Sequence, residues 1–237
     1  MRLIANSISN TQKKKQLVLV FGQSNTDGRG EVVNLPSEMK GKIPNSYVWW
    51  NNEWQPLEAG VNASATLQVG YIISFAYNWY LADPFTNHYF VINAVGGTAI
   101  SYWQDGSGGY NELYDRFYRA IAVEPLGYDL KFMLNYQGET DGENETLSLA
   151  YKVAEQNLVA TYKSKFGDVP YILSNIGSDV TYSENVRIAK TENYNEGITQ
   201  GLAETDDLPL LPDNLHLTAA GQVTNGLNLF NIAKSFL

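Results

Sequence analysis

Three residues of this sequence, Ser24, Asp213 and His216, are of the types that carry out nucleophilic catalysis, in the order nucleophile, acid and base. A serine hydroxyl is a poor nucleophile at neutral pH, and it needs a base within hydrogen-bond reach that a third group orients. Asp213 stands three residues before His216. A single turn can therefore bring its carboxylate to one imidazole nitrogen and leave the other nitrogen facing the serine.

The base has one other candidate, because the chain contains two histidines. His88 directly precedes a predicted strand and would lie at its amino end, whereas ligands of parallel sheets gather at the carboxyl ends of the strands. Taken singly, the triad residues also have ordinary interpretations. A serine after a Gly-Gln turn is common in loops, and an Asp-x-x-His ahead of a helix is often a helix cap. Their coincidence at converging strand ends favours a triad.

The elements that must position these residues follow from the hydrophobic pattern. Short apolar runs bounded by Gly, Pro or polar residues predict buried strands at residues 16–21, 89–93, 130–135 and 170–174. Apolar residues three and four apart predict helices at residues 69–81, 111–123, 146–166, 184–203 and 218–236, the last with Thr218 as N-cap. This alternation implies an α/β fold with a parallel sheet between layers of helices.

Residues 27–60 do not fit that alternation. They are rich in Gly, Pro and Asn around the aromatic stretch Tyr47-Val-Trp-Trp50 and Trp54. Long loops in compact domains are usually functional or disordered, and the tryptophans favour order. We expect a long ordered loop with a small hairpin here.

Composition limits the class of protein. A chain of 237 residues with 44% hydrophobic residues is long enough for one sizeable core, so we expect a single domain over 1–237, with 1–15 a flexible or peripheral segment. The net charge of -9 argues against nucleic acid or an anionic membrane as partner. The absence of cysteine excludes disulfides and a thiol nucleophile. No segment has the apolar length of a signal peptide or a membrane span, so the sequence predicts a soluble chain and leaves localisation open.

Four short blocks of the sequence resemble a known family. They are Gly-Gln-Ser-Asn at 22–25, Gly-Gly-Thr-x-Ile-x-x-Trp at 96–103, Gln-Gly-Glu-x-Asp at 137–141 and Asp-x-x-His-x-Thr at 213–218. As a set they are similar to the successive blocks of the SGNH (GDSL-like) hydrolases, and more narrowly to the branch of carbohydrate esterase family six and sialate O-acetylesterases. The resemblance spans residues 17–221. The sequence departs from this branch at one point: directly before the Gln-Gly-Glu block it has Asn135-Tyr136, where the branch usually has Trp or Tyr with His.

The resemblance implies a three-layer α/β/α sandwich with a mostly parallel central sheet, which is a flavodoxin-like fold. It also implies that Ser24 attacks an ester carbonyl while His216 takes its proton. The oxyanion would be held by the backbone N–H groups of Ser24 and Gly97 and by the side-chain amide of Gln137. Such neutral, preorganised donors are what a developing oxyanion needs.

The acid partner and the substrate contacts stay open at this point. Glu139 competes with Asp213 for the imidazole or only orients its neighbours, and we favour Asp213 because its contact is local. Weak candidates for substrate binding are Asn25, Tyr102 and Trp103. The tryptophans at 49, 50 and 54, with Tyr102 and Trp103, form either a sugar platform or ordinary packing. Carboxylates at 27, 105 and 141 sit on separate loops without histidine ligands, so we expect no metal and no cofactor.

The expected function is that of a serine esterase that hydrolyses short-chain acyl esters, foremost O-acetyl groups on a glycan, through an acyl-enzyme. An esterase or lipase-like enzyme for other small esters is the alternative within the same class. A catalytically silent carbohydrate-binding domain of the same fold is the alternative from another class. Polar, Asn- and Gly-rich loops favour a sugar over a lipid substrate.

Overall fold

The computed structural model describes residues 14–63, 67–124 and 127–237. Its strands are β1 Lys15–Gly22, β2 Gly30–Glu31, β3 Lys42–Trp50, β4 Glu53–Glu58, β5 Gln68–Val69, β6 His88–Ala94, β7 Tyr128–Tyr136, β8 Tyr171–Ser174 and β9 Gly201–Ala203. Its α-helices are α1 Ser24–Asp27, α2 Ile72–Ala82, α3 Gly108–Ala122, α4 Glu139–Gly142, α5 Glu145–Phe166, α6 Ser183–Asn195 and α7 Ala219–Ala233. Single 3-10 turns lie at Val32–Asn34, Ser37–Met39, Ile100–Trp103 and Lys234–Phe236.

The main sheet has the strand order β4-β3-β6-β1-β7-β8-β9. Its pairings are parallel except for the edge pair β3–β4. In the centre, the run from Leu17 to Phe21 in β1 is wholly buried, as expected for a strand covered on both faces. The predicted α/β fold with a mostly parallel central sheet and flanking helices is confirmed.

Side chains of the central strands alternate between two helical layers, because successive residues of a strand point to opposite faces. On one face, Phe75 of α2 contacts Phe90, Phe132 and Phe230 of α7. On the other face, Phe21 contacts Tyr162 of α5. Helices α2 and α7 pack together, as do α5 and α6. Among the helices in the described ranges, none has both the length and the apolar composition that a membrane span requires.

The predicted helix over residues 184–203 is wrong at its end. Helix α6 ends at Asn195, and residues 201–203 form strand β9, which pairs parallel with β8. The signal was Gly197, whose φ of 75° is the left-handed conformation that ends many helices. At the new strand, a Cβ on Gly201 would lie 2.4 Å from Ile232 Cγ2, so only glycine lets β9 approach α7.

Residues 27–60 contain the expected hairpin, but it belongs to the main sheet and is not part of a long loop. Strands β3 and β4 form the hairpin, and Ser46 to Val48 of β3 pair parallel with β6. The turn residues Asn51 and Asn52 have φ of 51° and 62°, which is the conformation of a tight type I′ turn. At the amino end, Lys15 already belongs to β1, and the rest of the predicted peripheral segment lies almost wholly outside the described residues.

Candidate active site

The turn after β1 places Ser24 at the carboxyl edge of the sheet. Gly22 has φ of 147°, and a Cβ there would lie 2.2 Å from the carbonyl oxygen of Tyr136. That close approach to β7 requires glycine. The backbone N–H of Gln23 and the hydroxyl of Thr26 both donate to the same carbonyl, at 3.1 and 2.9 Å. The turn is therefore tied to β7 on both sides of Ser24, which begins the short helix α1.

Ser24, His216 and Asp213 form a continuous line of contacts. The Oγ of Ser24 lies 2.8 Å from Nε2 of His216, and Nδ1 of His216 lies 2.7 Å from Oδ2 of Asp213. Ser24 is only 6% exposed, and it lies in the wall of a cleft. This is the hydrogen-bond order of a nucleophile, a base and an orienting acid.

The Asp213 carboxylate is fixed by its own loop. Its Oδ1 accepts hydrogen bonds from the backbone N–H groups of His216 and Leu215, at 2.9 and 3.0 Å. Burial works against ionisation, but these hydrogen bonds and the adjacent imidazole outweigh it and lower the pKa of Asp213 to about 2. Asp213 is therefore charged throughout the neutral range and holds Nδ1 of His216 as the protonated nitrogen.

Asn25 ties the loop of His216 to the turn of Ser24. Its Nδ2 donates to Leu215 O at 3.1 Å and to Glu139 Oε1 at 2.8 Å, while its Oδ1 accepts from the backbone N–H of Leu217 at 3.0 Å. Asn25 has no exposed surface. The expectation that it contacts substrate is corrected, because the side chain lies beneath the site and aligns two of its loops.

Glu139 lies next to the triad without touching the imidazole. Its Oε1 accepts from Asn25, and its Oε2 is buried with no hydrogen-bond partner among the described residues. Burial raises the pKa of Glu139, and the hydrogen bond from Asn25 offsets this only partly. Of the two carboxylates, only Asp213 contacts His216, so the geometry favours Asp213 as the acid.

Two backbone N–H groups near Ser24 are free to bind an oxyanion. The N–H groups of Ser24 and Gly97 donate to no residue in the described part of the chain. The two turns are close together, since a Cβ on Gly96 would lie 3.4 Å from Ser24 Cβ. Gly97 itself has φ of 71° and open space where its side chain would be. The pair meets the need for neutral donors beside the nucleophile.

The third expected oxyanion donor, Gln137, is engaged by the protein. Its side chain is fully buried, with Nε2 donating to Asp141 Oδ2 and Oε1 accepting from the Tyr151 hydroxyl at 2.7 Å. The remaining contact of Nε2, to Thr98 O, is long at 3.5 Å. Donation by Gln137 to an oxyanion stays a prediction, and it would require that weak contact to be exchanged for substrate.

Asp141 has a structural position that the sequence did not indicate. Beyond Gln137, its carboxylate accepts from the backbone N–H of Ile100, at 2.9 Å to Oδ2. It thus links the short helix α4 to the 3-10 turn that follows Gly97. In the described ranges, no three His, Cys, Asp or Glu side chains are grouped so that they could hold a metal ion.

The expected aromatic contacts divide between packing and surface. Trp103 is fully buried and its Nε1 donates to Thr98 Oγ1 at 3.2 Å. It supports the glycine turn from behind, so the expectation that it binds substrate is corrected. Tyr102 is half-buried and packs edge-on against Trp103.

The cleft around Ser24 encloses about 570 Å³ and has mostly polar walls. Besides the predicted residues, its walls include Gly96, Leu215 and four polar residues, which are Gln23, Arg29, Thr140 and Glu143. The guanidinium of Arg29 is ion-paired with Asp27 and also donates to the carbonyl of Gly28. Sequence reasoning missed these four residues, although three of them stand inside or beside the recognised blocks.

Comparison with known proteins adds a family to this geometry. The family model described as "Carbohydrate esterase, sialic acid-specific acetylesterase" matches residues 14–235. The chain is 29% identical over 240 residues to a protein of Arabidopsis thaliana described as a probable carbohydrate esterase, and the match covers 90% of this chain and 88% of the relative.

Solved structures share the fold. The structure of the Arabidopsis thaliana protein has a TM-score of 0.83 at 26% identity, covering 95% of this chain and all of that one (100%). NanS has a TM-score of 0.72 at 14% identity, with 94% and 98% covered. XAC1771, described as a carbohydrate acetylesterase from Xanthomonas citri, has a TM-score of 0.68 at 16% identity, with 93% and 56% covered. At such low identities the last two similarities concern the fold alone.

Proposed function

This chain belongs to the carbohydrate esterase family of sialic acid-specific acetylesterases and is a carboxylic ester hydrolase, and we propose that it removes O-acetyl groups from a glycan with Ser24 as nucleophile. The observation that carries the proposal is the line of contacts from Ser24 Oγ through His216 to Asp213, at 2.8 and 2.7 Å. The line ends in a cleft large enough for a small ester, which is what acyl transfer by a serine requires.

In the first half of the reaction, Ser24 Oγ attacks the acetyl carbonyl carbon as its proton passes to Nε2 of His216. The tetrahedral intermediate carries its negative charge on the former carbonyl oxygen. When it collapses, the bond to the sugar oxygen breaks, and His216 gives its proton to that oxygen. Asp213, charged at neutral pH, stabilises the imidazolium that exists between these two transfers. The product is a free sugar hydroxyl and an acetyl group on Ser24.

In the second half, water attacks the acetyl carbonyl and His216 Nε2 takes a proton from it. The second tetrahedral intermediate collapses with release of acetic acid, and Ser24 Oγ recovers its proton from His216. In both halves, the backbone N–H groups of Ser24 and Gly97 bind the oxyanion. Losing one donor of this kind typically costs on the order of a hundredfold in turnover.

The polar walls of the cleft support a sugar rather than a lipid as the alcohol part of the ester. Gln23, Arg29, Thr140 and Glu143 line it, and a long acyl or alkyl chain would leave these groups without hydrogen-bond partners. Short acyl groups fit this description better than fatty acids do. The acetylesterases among the structural relatives agree with this reading.

Acetate release from a panel of O-acetylated glycans, with p-nitrophenyl acetate as a generic substrate, tests the proposal. We expect wild-type protein to cleave both, and Ser24→Ala to cleave neither. Cleavage of p-nitrophenyl acetate without release from any glycan would favour an esterase for other small esters. Glycan binding without any hydrolysis would favour a silent carbohydrate-binding domain.

A further inference from the structure

Trp50 differs from the other tryptophans of this protein. Trp49, Trp54, Trp79 and Trp103 each pack against at least one other aromatic ring. Trp50, at the end of β3, is half-buried, and among the described residues it has neither an aromatic neighbour nor a hydrogen bond on its indole N–H. A large apolar ring with a free donor at its edge is what aromatic binding sites offer.

Two adjoining cavities meet at this ring, and we call them together the distal groove. The inner cavity, about 230 Å³, is lined by Asp27 and Ala94 among others, and the outer cavity, about 290 Å³, by Asn51 and Asn52. Both cavities are lined by Trp50 and Arg116, which makes them neighbours. Each cavity is somewhat smaller than the roughly 300–1,000 Å³ typical of pockets for drug-sized ligands, so each would hold only part of a larger ligand.

The distal groove begins beside the candidate active site. Ala94, in the wall of the inner cavity, stands two residues before Gly96, so their Cα atoms are at most about 7 Å apart. Gly96 is in the wall of the cleft that contains Ser24. Asp27 of the inner cavity is ion-paired with Arg29 of the cleft. The distal groove and the cleft are therefore adjacent, and the Asp27–Arg29 ion pair joins their walls.

The charges of the groove are already paired. Arg116 contacts Glu112, Asp115 lies 2.9 Å from Arg119, and Asp27 is paired with Arg29. A charged ligand would have to compete with these pairs, whereas a neutral sugar ring needs only an apolar surface and hydrogen-bonding groups at its edge.

The tight turn of the β3–β4 hairpin restricts the position of Trp50. Trp50 pairs with Glu53 across the type I′ turn of Asn51 and Asn52, so the indole stands on a tight, two-residue connection rather than on a long loop. The exposed side-chain amide of Asn51 adds donors and an acceptor next to the ring, and none of them bonds to another described residue. A rigid ring beside a free amide binds a sugar with little loss of conformational entropy.

We propose that the distal groove binds a neutral sugar unit of an oligosaccharide or polysaccharide whose acetylated unit lies at Ser24, with the ring stacked on Trp50. This inference rests on the proposed glycan deacetylation and adds to it that the preferred substrate is a chain of several units. Truncating an aromatic anchor of this kind typically weakens binding about tenfold or more. The effect should fall on substrates long enough to reach Trp50 and on no others.

The test compares chain lengths in four proteins. The substrates are p-nitrophenyl acetate and acetylated mono-, di-, tri- and tetrasaccharides of the glycan that releases most acetate from wild-type protein. The proteins are wild type, Trp50→Ala, Trp50→Phe and Phe85→Ala. Phe85 is a matched control because it is 96% exposed and precedes β6, at the opposite edge of the sheet.

In wild-type protein we expect kcat/KM to rise with chain length. Trp50→Ala should lose about tenfold in kcat/KM on the longest substrates, mainly through KM, with p-nitrophenyl acetate and the monosaccharide unchanged. Trp50→Phe should recover part of the loss, and Phe85→Ala should behave as wild type. Rates independent of chain length, or an equal loss on all substrates, would overturn the distal groove alone. Release of acetate from no glycan, with p-nitrophenyl acetate still cleaved, would contradict the proposed function as well.

Discussion

Replacing Asp213 by Asn separates the two carboxylates near His216. Asp213 Oδ2 lies 2.7 Å from Nδ1 of His216 while Oδ1 accepts two backbone hydrogen bonds. An asparagine can keep its oxygen on the two backbone N–H groups, but it then presents an NH2 group to Nδ1. The imidazole must take the tautomer that is protonated on Nε2, and that nitrogen can no longer accept the proton of Ser24. A loss approaching about four decades in turnover is expected, equivalent to about 5.4 kcal/mol in the barrier.

Glu139→Gln is the matched comparison, because it removes the same charge next to the same site. The glutamine oxygen can still accept from Nδ2 of Asn25, as Oε1 does now at 2.8 Å. Burial raises the pKa of Glu139, so the neutral amide is a smaller change here than at Asp213. A change that acts only through the position of neighbouring groups usually costs about ten- to a hundredfold.

The assay is the kcat/KM of both purified variants on p-nitrophenyl acetate, after thermal unfolding has shown that each is folded. The comparison is a ranking and needs no absolute scale. If folded Glu139→Gln loses more activity than Asp213→Asn, the assignment of the acid is wrong and Glu139 takes that role.

Three further predictions concern stability. Asn25→Ala removes three side-chain hydrogen bonds and leaves their buried partners unsatisfied, so it should lower the free energy of unfolding by about 3 kcal/mol or more. Urea titration measures this loss, and an unchanged unfolding midpoint would contradict the anchoring role of Asn25. Burial lowers the pKa of His88 to about 4, so the unfolded chain binds a proton there between about pH 6.5 and 4 that the folded chain does not, and stability falls as pH falls through that window. In His88→Phe this slope should be smaller by up to about 1.4 kcal/mol per pH unit, and equal slopes would refute it. Gly22→Ala should abolish activity or folding, because the added Cβ would clash with Tyr136 O. Gly41 also has a positive φ, of 82°, but it faces open space, so Gly41→Ala should lower the free energy of unfolding by only about 1–2 kcal/mol. Similar effects of the two variants would contradict the turn geometry.

The central strands could be predicted because buried strands have a distinctive local composition. The runs at residues 16–21 and 89–93 are apolar apart from Gln16 and Asn93 at their ends, and β1 and β6 extend only one residue beyond them at each end. The proximity of Ser24 and His216, 192 residues apart, could be anticipated only because both follow elements that converge at one sheet edge.

Other features depend on pairing between distant segments, which local patterns do not encode. Strand β9 has three residues, and it is a strand because β8 lies beside it. Likewise, nothing local distinguishes Asn25 at the floor of the site from a substrate contact at its mouth. The difference is that Leu217 and Glu139 occupy its hydrogen-bonding groups. Trp49 and Trp50 are neighbours in sequence and both line the outer cavity, but alternation along β3 buries Trp49 and leaves Trp50 half-buried.

Covalent labelling tests most directly whether Ser24 is the nucleophile. An organophosphate such as paraoxon transfers a diethylphosphoryl group to an activated serine, and peptide mass spectrometry locates the adduct. We expect a single adduct on the peptide that contains Ser24, formed in proportion to the loss of esterase activity, and none in His216→Ala because the base is absent. Inactivation with the adduct on another residue, or full activity in protein that carries the adduct on Ser24, would contradict the assignment.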